Sequence, residues 1–204
     1  MCTNYRPGAR DLLRGHFELP ESSWANDAWA EEIWPMGRGP IIHAGGATVG
    51  HFGLVPFWAK DGLKFGRHTY NARSETMAEK PSFRDAWKRG QRCLIPAVWF
   101  CEPNWETGKA VRWRIHDEHG EPLALAGLWS PWRDAEGGAH PTYTMVTVNA
   151  DEHPLMQRFH RPGEEKRSVV VLRGEEREQW LRGSVVQAQA LVKTPEGLGA
   201  EPLG

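Results

Sequence analysis

The sequence has little cysteine, and what it has does not pair. Cys2, Cys93 and Cys101 are odd in number and show no CxxC spacing, which argues against a disulfide framework or a zinc site and for a reducing cytoplasm. Neither a metal nor a cofactor is expected. No run reaches the apolar length of a membrane span, and no signal-peptide apolar region follows Met1, so no membrane partner is expected. Charge of one sign is also missing overall: the net charge is −1, and nothing global marks a nucleic-acid binder. Repeats, linkers and low-complexity blocks are absent.

Tryptophan is the excess, with 11 against three tyrosines. Large flat rings fill cores, and they also stack on ligands and bases. With 204 residues, 40% of them hydrophobic, the chain is long enough for one domain with its own core. "ARDLLRGHF" (9–17) has helical spacing, residues 20–50 read as a long irregular excursion, and "SETMAEKPSFRDAWKRG" (74–90) reads as a helix interrupted at Pro81. Strand patterns follow in "RCLIPAVWFCE", "AVRWRIHD", "PLALAGLWS" and "TYTMVTVNA", separated by turn-like segments suited to antiparallel pairing. "DEHPLMQRFH" suggests a short helix capped by Asp151, "RSVVVL" a strand and "GEEREQWLRG" a helix. The expected fold class is α+β, with a mainly antiparallel, barrel-like sheet core and peripheral helices in a single domain over 1–194. Residues 195–204, rich in Gly and Pro, read as a flexible tail.

Local charge departs from the average. Between Lys64 and Arg92 there are eight Lys/Arg and three acids, a surplus of +5 that leaves −6 for the remainder. Such a run is either a solvated face or a surface that tracks phosphates. Four polar residues also sit where a structural role is hard to supply. Cys2 directly follows the initiator. Asn71 opens "NARSET", Glu102 ends an apolar strand, and His160 ends "PLMQRFH" before "RPGEEK". Singly they fit a turn, a solvated strand end and a helix cap.

Together they resemble a known family. Cys2 after Met1, "GLVPFWA" at 53–59, "NARSET" at 71–76, "RCLIPAVWFCEP" at 92–103, "AGLW" at 126–129, and "NADEHPLMQRFH" followed by "KRSVVVL" at 166–172 are similar in order and spacing to the SOS-response-associated peptidase (SRAP) family, whose members process abasic sites in single-stranded DNA. The resemblance implies that Met1 is removed, that Cys2, Asn71, Glu102 and His160 form the active site, and that Arg73 holds a DNA phosphate. Trp58 and Arg67 are further candidates for DNA contact, Trp58 by stacking on flanking bases. The implied partner is single-stranded DNA carrying abasic sites, and nothing in the sequence demands more than a monomer. Departures from the family pattern fall at Asn4, where an Arg is frequent, at "VWFCE" in place of "DGFYE", and after His160, where an insertion precedes "KRSVVVL".

The chemistry is coherent. An abasic deoxyribose opens to an aldehyde, and only an N-terminal cysteine offers an amine and a thiol on adjacent atoms to trap it as a thiazolidine. Glu102 would move protons as the sugar opens, His160 would shuttle them near neutral pH, and Asn71 would orient Cys2. Strand cleavage by β-elimination and reversal of the adduct are possible extensions of the same Schiff base. Two alternatives use the same features. One is an N-terminal-nucleophile hydrolase attacking an amide; the other is a non-catalytic single-strand binder. Cys93 and Cys101 read as buried strand residues.

Overall fold

Among the described residues, apolar side chains on one or both faces build twelve strands. A computed structural model describes residues 2–203 of the chain. The strands are β1 (Tyr5–Arg6), β2 (Arg38–His43), β3 (Gly46–Phe52), β4 (Asn71–Arg73), β5 (Arg92–Ala97), β6 (Trp99–Asn104), β7 (Val111–Asp117), β8 (Leu123–Arg133), β9 (Ala139–Asn149), β10 (Arg167–Val169), β11 (Val171–Leu172) and β12 (Leu198–Pro202). Five short helices, α1 (Arg10–His16), α2 (Gly62–Gly66), α3 (Arg84–Lys88), α4 (Glu176–Arg182) and α5 (Val185–Ala190), lie between them.

Strands β9, β3, β2, β5 and β8 pair in that order, and β8 pairs back onto β9. The ring is therefore closed, which removes the exposed edges an open sheet would leave. β3 and β4 run parallel to β9, and the other pairings are antiparallel. A second sheet has the order β1-β6-β7-β12. The architecture is α+β with a barrel-like, mainly antiparallel core, as the strand patterns predict.

Neighbouring residues on the ring strands and on the β10–β11 segment feed two different apolar clusters. Leu94, Ala126, Val146 and Val170 join Trp87, Trp180 and Leu191 from the helical segments. Cys93, Ile95, Leu125, Met145 and Val169 join Tyr5, Phe100 and Ile115 from the second sheet. A strand buried on both sides reads as a continuous apolar run, which explains "PLALAGLW". The second cluster also holds Cys2, Phe159 and Met156.

Several expectations are corrected. The excursion at 20–50 contains the β2–β3 hairpin, turned through Ala44 and Gly45. Its Gly-Gly signal lay hidden among other Gly and Pro residues. The helix expected over 74–90 is a chain of turns followed by the five residues of α3, because Pro81 has no N–H to continue a helix. Near residue 155 there is a single 3-10 turn, Met156–Arg158. Its leading N–H groups, from Leu155 and Met156, donate to the His153 ring at 3.2 Å, whereas Asp151 accepts from the Lys166 N–H at 2.7 Å. The tail expected to be flexible forms β12, which pairs with β7 from Leu198 opposite Asp117 to Pro202 opposite Trp113. α5 was not anticipated, although Ser184 and Gln187 write a capping box that the structure forms in full.

Candidate active site

A residue beside the initiator is ordinarily frayed; here it is fixed by the strand that follows. Tyr5 pairs with Phe100 across β1 and β6 and exchanges two backbone hydrogen bonds with Ile33, at 3.2 and 2.8 Å. Its hydroxyl meets that of Tyr143 on β9 at 2.5 Å, tying the N-terminal strand to the barrel. Cys2 consequently has no solvent exposure, and its thiol donates to the Asn4 carbonyl at 3.4 Å. The same carbonyl accepts the Cys101 N–H at 2.9 Å, joining the terminus to β6.

β4 supplies Asn71. Running parallel to β9, it sets Asn71 beside Met145, and the Asn71 amide donates to the Cys2 carbonyl at 2.8 Å. The Asn71 Oδ1 is buried and has no hydrogen-bond partner among the described residues. The Asn71 amide thus ties the Cys2 carbonyl to β4. β6 supplies Glu102, which is opposite Trp113 on β7 and only 1% exposed. It is no solvated strand end.

His160 comes from the segment after the 3-10 turn. An isolated bridge between Asn104 and Phe159 and the His160 N–H donating to the Pro103 carbonyl at 2.9 Å lace this segment to β6. His160 holds a left-handed backbone with φ 62°, a conformation that costs a non-glycine residue about 1 kcal/mol or more. The turn puts its ring in the interior, with Nε2 3.0 Å from Glu102 Oε2, at ion-pair distance though outside hydrogen-bond angles. It caps no helix.

The electrostatics favour a protonated thiol. Burial pushes the Cys2 pKa well above its ordinary value, with further upward contributions from Glu102 and Cys101. Burial likewise raises the Tyr70 phenol, and Cys2 and Glu102 add to it. Tyr70, directly before Asn71, thus brings a hydroxyl donor to the same charges; sequence reasoning passed over it, and its place beside "NARSET" was the available signal. Cys93 and Cys101 are buried strand residues, as expected, and burial raises both thiols, with Arg112 opposing the shift at Cys101. Asn4, the departure from the frequent Arg, is buried and donates to Glu32 at 2.8 Å. Among the described residues, no group of three His, Cys, Asp or Glu could hold a metal ion.

The three DNA candidates lie outside this buried cluster. Arg73 is two residues along β4 from Asn71, hence on the same strand face, with its side chain 48% exposed. It is already engaged, by Glu165 at 2.7 Å. Trp58 is 46% exposed and meets Phe65 of α2 edge-on, with centroids 5.3 Å apart. Arg67 follows α2 and is exposed. Trp58 and Arg67 therefore share the loop and helix that lead toward β4.

Comparison with known proteins decides the affiliation. The family pattern described as SOS response associated peptidase (SRAP) matches residues 1–201. The chain belongs to the SRAP family. A crystal structure of a Bordetella bronchiseptica protein is 33% identical and superposes with a TM-score of 0.89 over 100% of both chains. One from Bacteroides thetaiotaomicron, 23% identical, shares the SRAP fold at a TM-score of 0.87 over 100% of this chain and 92% of the other. Among curated SRAP relatives, abasic site processing protein YoqW of Bacillus subtilis is 37% identical over 64% of this chain and 54% of its own length. Abasic site processing protein HMCES of Gallus gallus is 29% identical over 74% of this chain and 51% of its own. The chain spans about half the length of the curated relatives it matches.

Proposed function

We propose that this SRAP protein captures abasic sites in single-stranded DNA through Cys2, once Met1 has been removed. One observation carries the reading: four residues separated by as many as 158 positions, Cys2, Asn71, Glu102 and His160, converge at one buried place. Removal of Met1 turns the Cys2 nitrogen into a primary amine with a reference pKa of about 7.7–8.0, partly neutral at physiological pH. That amine adds to the C1′ aldehyde of the opened sugar, and loss of one water leaves an imine. The thiol then adds to the imine carbon, its proton passing to the nitrogen, and a five-membered thiazolidine results. Closure within one residue has the high effective molarity of a positioned pair.

Ring opening of the sugar needs a proton at the ring oxygen and loss of one from the hydroxyl. The Glu102–His160 pair supplies a donor and an acceptor in adjacent positions for this exchange. The Asn71 Oδ1, without a partner among the described residues, can accept from a sugar hydroxyl, and Arg73 lies two residues along the same strand to meet a flanking phosphate. A strand without a complement suits an attacking group this deeply buried, because a duplex would resist the distortion required.

The test is a denaturing gel after incubation with an abasic single-stranded oligonucleotide. A shifted band is expected with wild type, absent in Cys2→Ala and formed more slowly, by about a hundredfold or more, with Glu102→Gln, in the range by which general acid–base groups act. No band with wild type whose mass confirms Met1 removal, together with turnover of an amide substrate, would favour an N-terminal-nucleophile hydrolase instead.

A further inference from the structure

The segment between His160 and "KRSVVVL" places an acid on the cation expected to hold DNA. Glu165 Oε2 sits 2.7 Å from Arg73 Nη1, while its Oε1 reaches Arg167 Nη1 at 2.7 Å and the Asn149 amide at 3.2 Å. Arg167 is 2% exposed and also holds both oxygens of Glu75, each at 2.9 Å. Two guanidinium groups thus face two carboxylates, so Arg73, the one member of the basic stretch in this cluster that is a cation, sits in a group with no net charge.

The position of Glu165 is built in. The Lys166 N–H donates to Asp151 at 2.7 Å, its carbonyl accepts from Ala150 at 2.8 Å, and its ammonium donates to the carbonyls of Arg161 and His160 at 2.8 and 3.3 Å. The backbone immediately after Glu165 is therefore fixed, and the Arg167 guanidinium holds its Oε1. The Arg73 contact differs in kind from the Arg167 contacts. Its partners are 48% and 35% exposed, so water screens the pair and little free energy opposes its exchange.

We propose that Glu165 is a resident phosphate surrogate: a single strand binds by exchanging this carboxylate on Arg73 for a backbone phosphate, and the exchange sets the affinity of the site. The inference rests on the strand-capture reading above. A carboxylate and a phosphate compete for the same guanidinium geometry. When the phosphate wins, the released carboxylate takes up a solution cation, which cancels one of the cations the DNA gives off. Removing the acid removes both the competitor and the cancellation.

The experiment measures binding of an intact single-stranded oligothymidylate against salt concentration for wild type, Glu165→Gln, Glu165→Ala and Glu164→Gln, with abasic crosslinking by each read in parallel. Both Glu165 variants are expected to bind about two- to fivefold tighter at low salt, the worth of one exposed ion pair. Their salt dependence should steepen by about 0.7 in log–log slope, one phosphate's share on a single strand. Crosslinking should speed up at subsaturating DNA and be unchanged at saturation. Glu164→Gln, which changes net charge equally from the neighbouring position, should match wild type. Equal or weaker binding by the Glu165 variants, or the same gain in Glu164→Gln, overturns the proposal while leaving strand capture intact. Absence of strand binding and crosslinking in wild type overturns both.

Discussion

At Cys2, the burial that shields the thiol from oxidants also holds it protonated, and Glu102 pushes in the same direction. The two nucleophiles of the proposed reaction therefore become available at different pH. A group whose pKa is raised gains its deprotonated form later as pH climbs, so the thiolate fraction still increases where the amine, near 8, is already neutral. Stable adduct formation at saturating DNA is expected to rise from pH 6 to 9 without levelling near the amine pKa, whereas imine trapped by borohydride should level there. Parallel time courses at each pH check this, and a shared plateau near neutrality would mean that the thiol is not the later group. The nucleophile, the amide, the acid and the imidazole could be picked out from the sequence because their neighbouring residues form distinctive strings. Glu165 could not, since a glutamate in "GEEK" carries no local mark of what it faces.

Among the elements, the loop carrying Trp58 and α2 is the one whose exposure argues for binding. A large indole 46% exposed, edge-on to Phe65 and outside both apolar clusters, contributes little to the core. Trp58→Ala is expected to weaken single-strand binding by about 1–3 kcal/mol, the worth of one stacked base, with little change in melting temperature. Fluorescence anisotropy and thermal unfolding together check this; a large fall in melting temperature would assign the ring to stability instead. Strands were easier to anticipate than their partners. "RCLIPAVWFCE" reads as one run, yet β5 pairs within the barrel and β6 within the second sheet. The chain changes sheets at Val98, whose N–H donates to the Arg6 carbonyl at 2.8 Å. "RSVVVL" divides similarly at Val170, with β10 on β9 and β11 on β8. Alternation is a local property, and the choice of partner is not.

For the molecule as a whole, the site stands where the second sheet meets the barrel, and the last strand guards the far edge of that sheet. β12 covers β7, whose Trp113 lies opposite Glu102. Deleting residues 195–204 should lower stability by roughly 1–3 kcal/mol, the range of a substantial local lesion, because it opens a sheet edge and removes five paired residues. Thermal or denaturant unfolding of the shortened chain checks this, and an unchanged midpoint would restore the reading of a dispensable tail. Gly and Pro made that segment look frayed, but an edge strand tolerates both, since only one side of it needs to pair.

What the sequence determined alone was the inventory of reactive groups, the two-faced strands and the affiliation, because each is written in contiguous residues. Tertiary structure decided which groups meet. The 3.0 Å approach of His160 to Glu102 depends on a left-handed turn and on a loop laced to β6. The carboxylate on Arg73 comes from 92 residues away. Both are consequences of long-range pairing and burial, which no local pattern encodes.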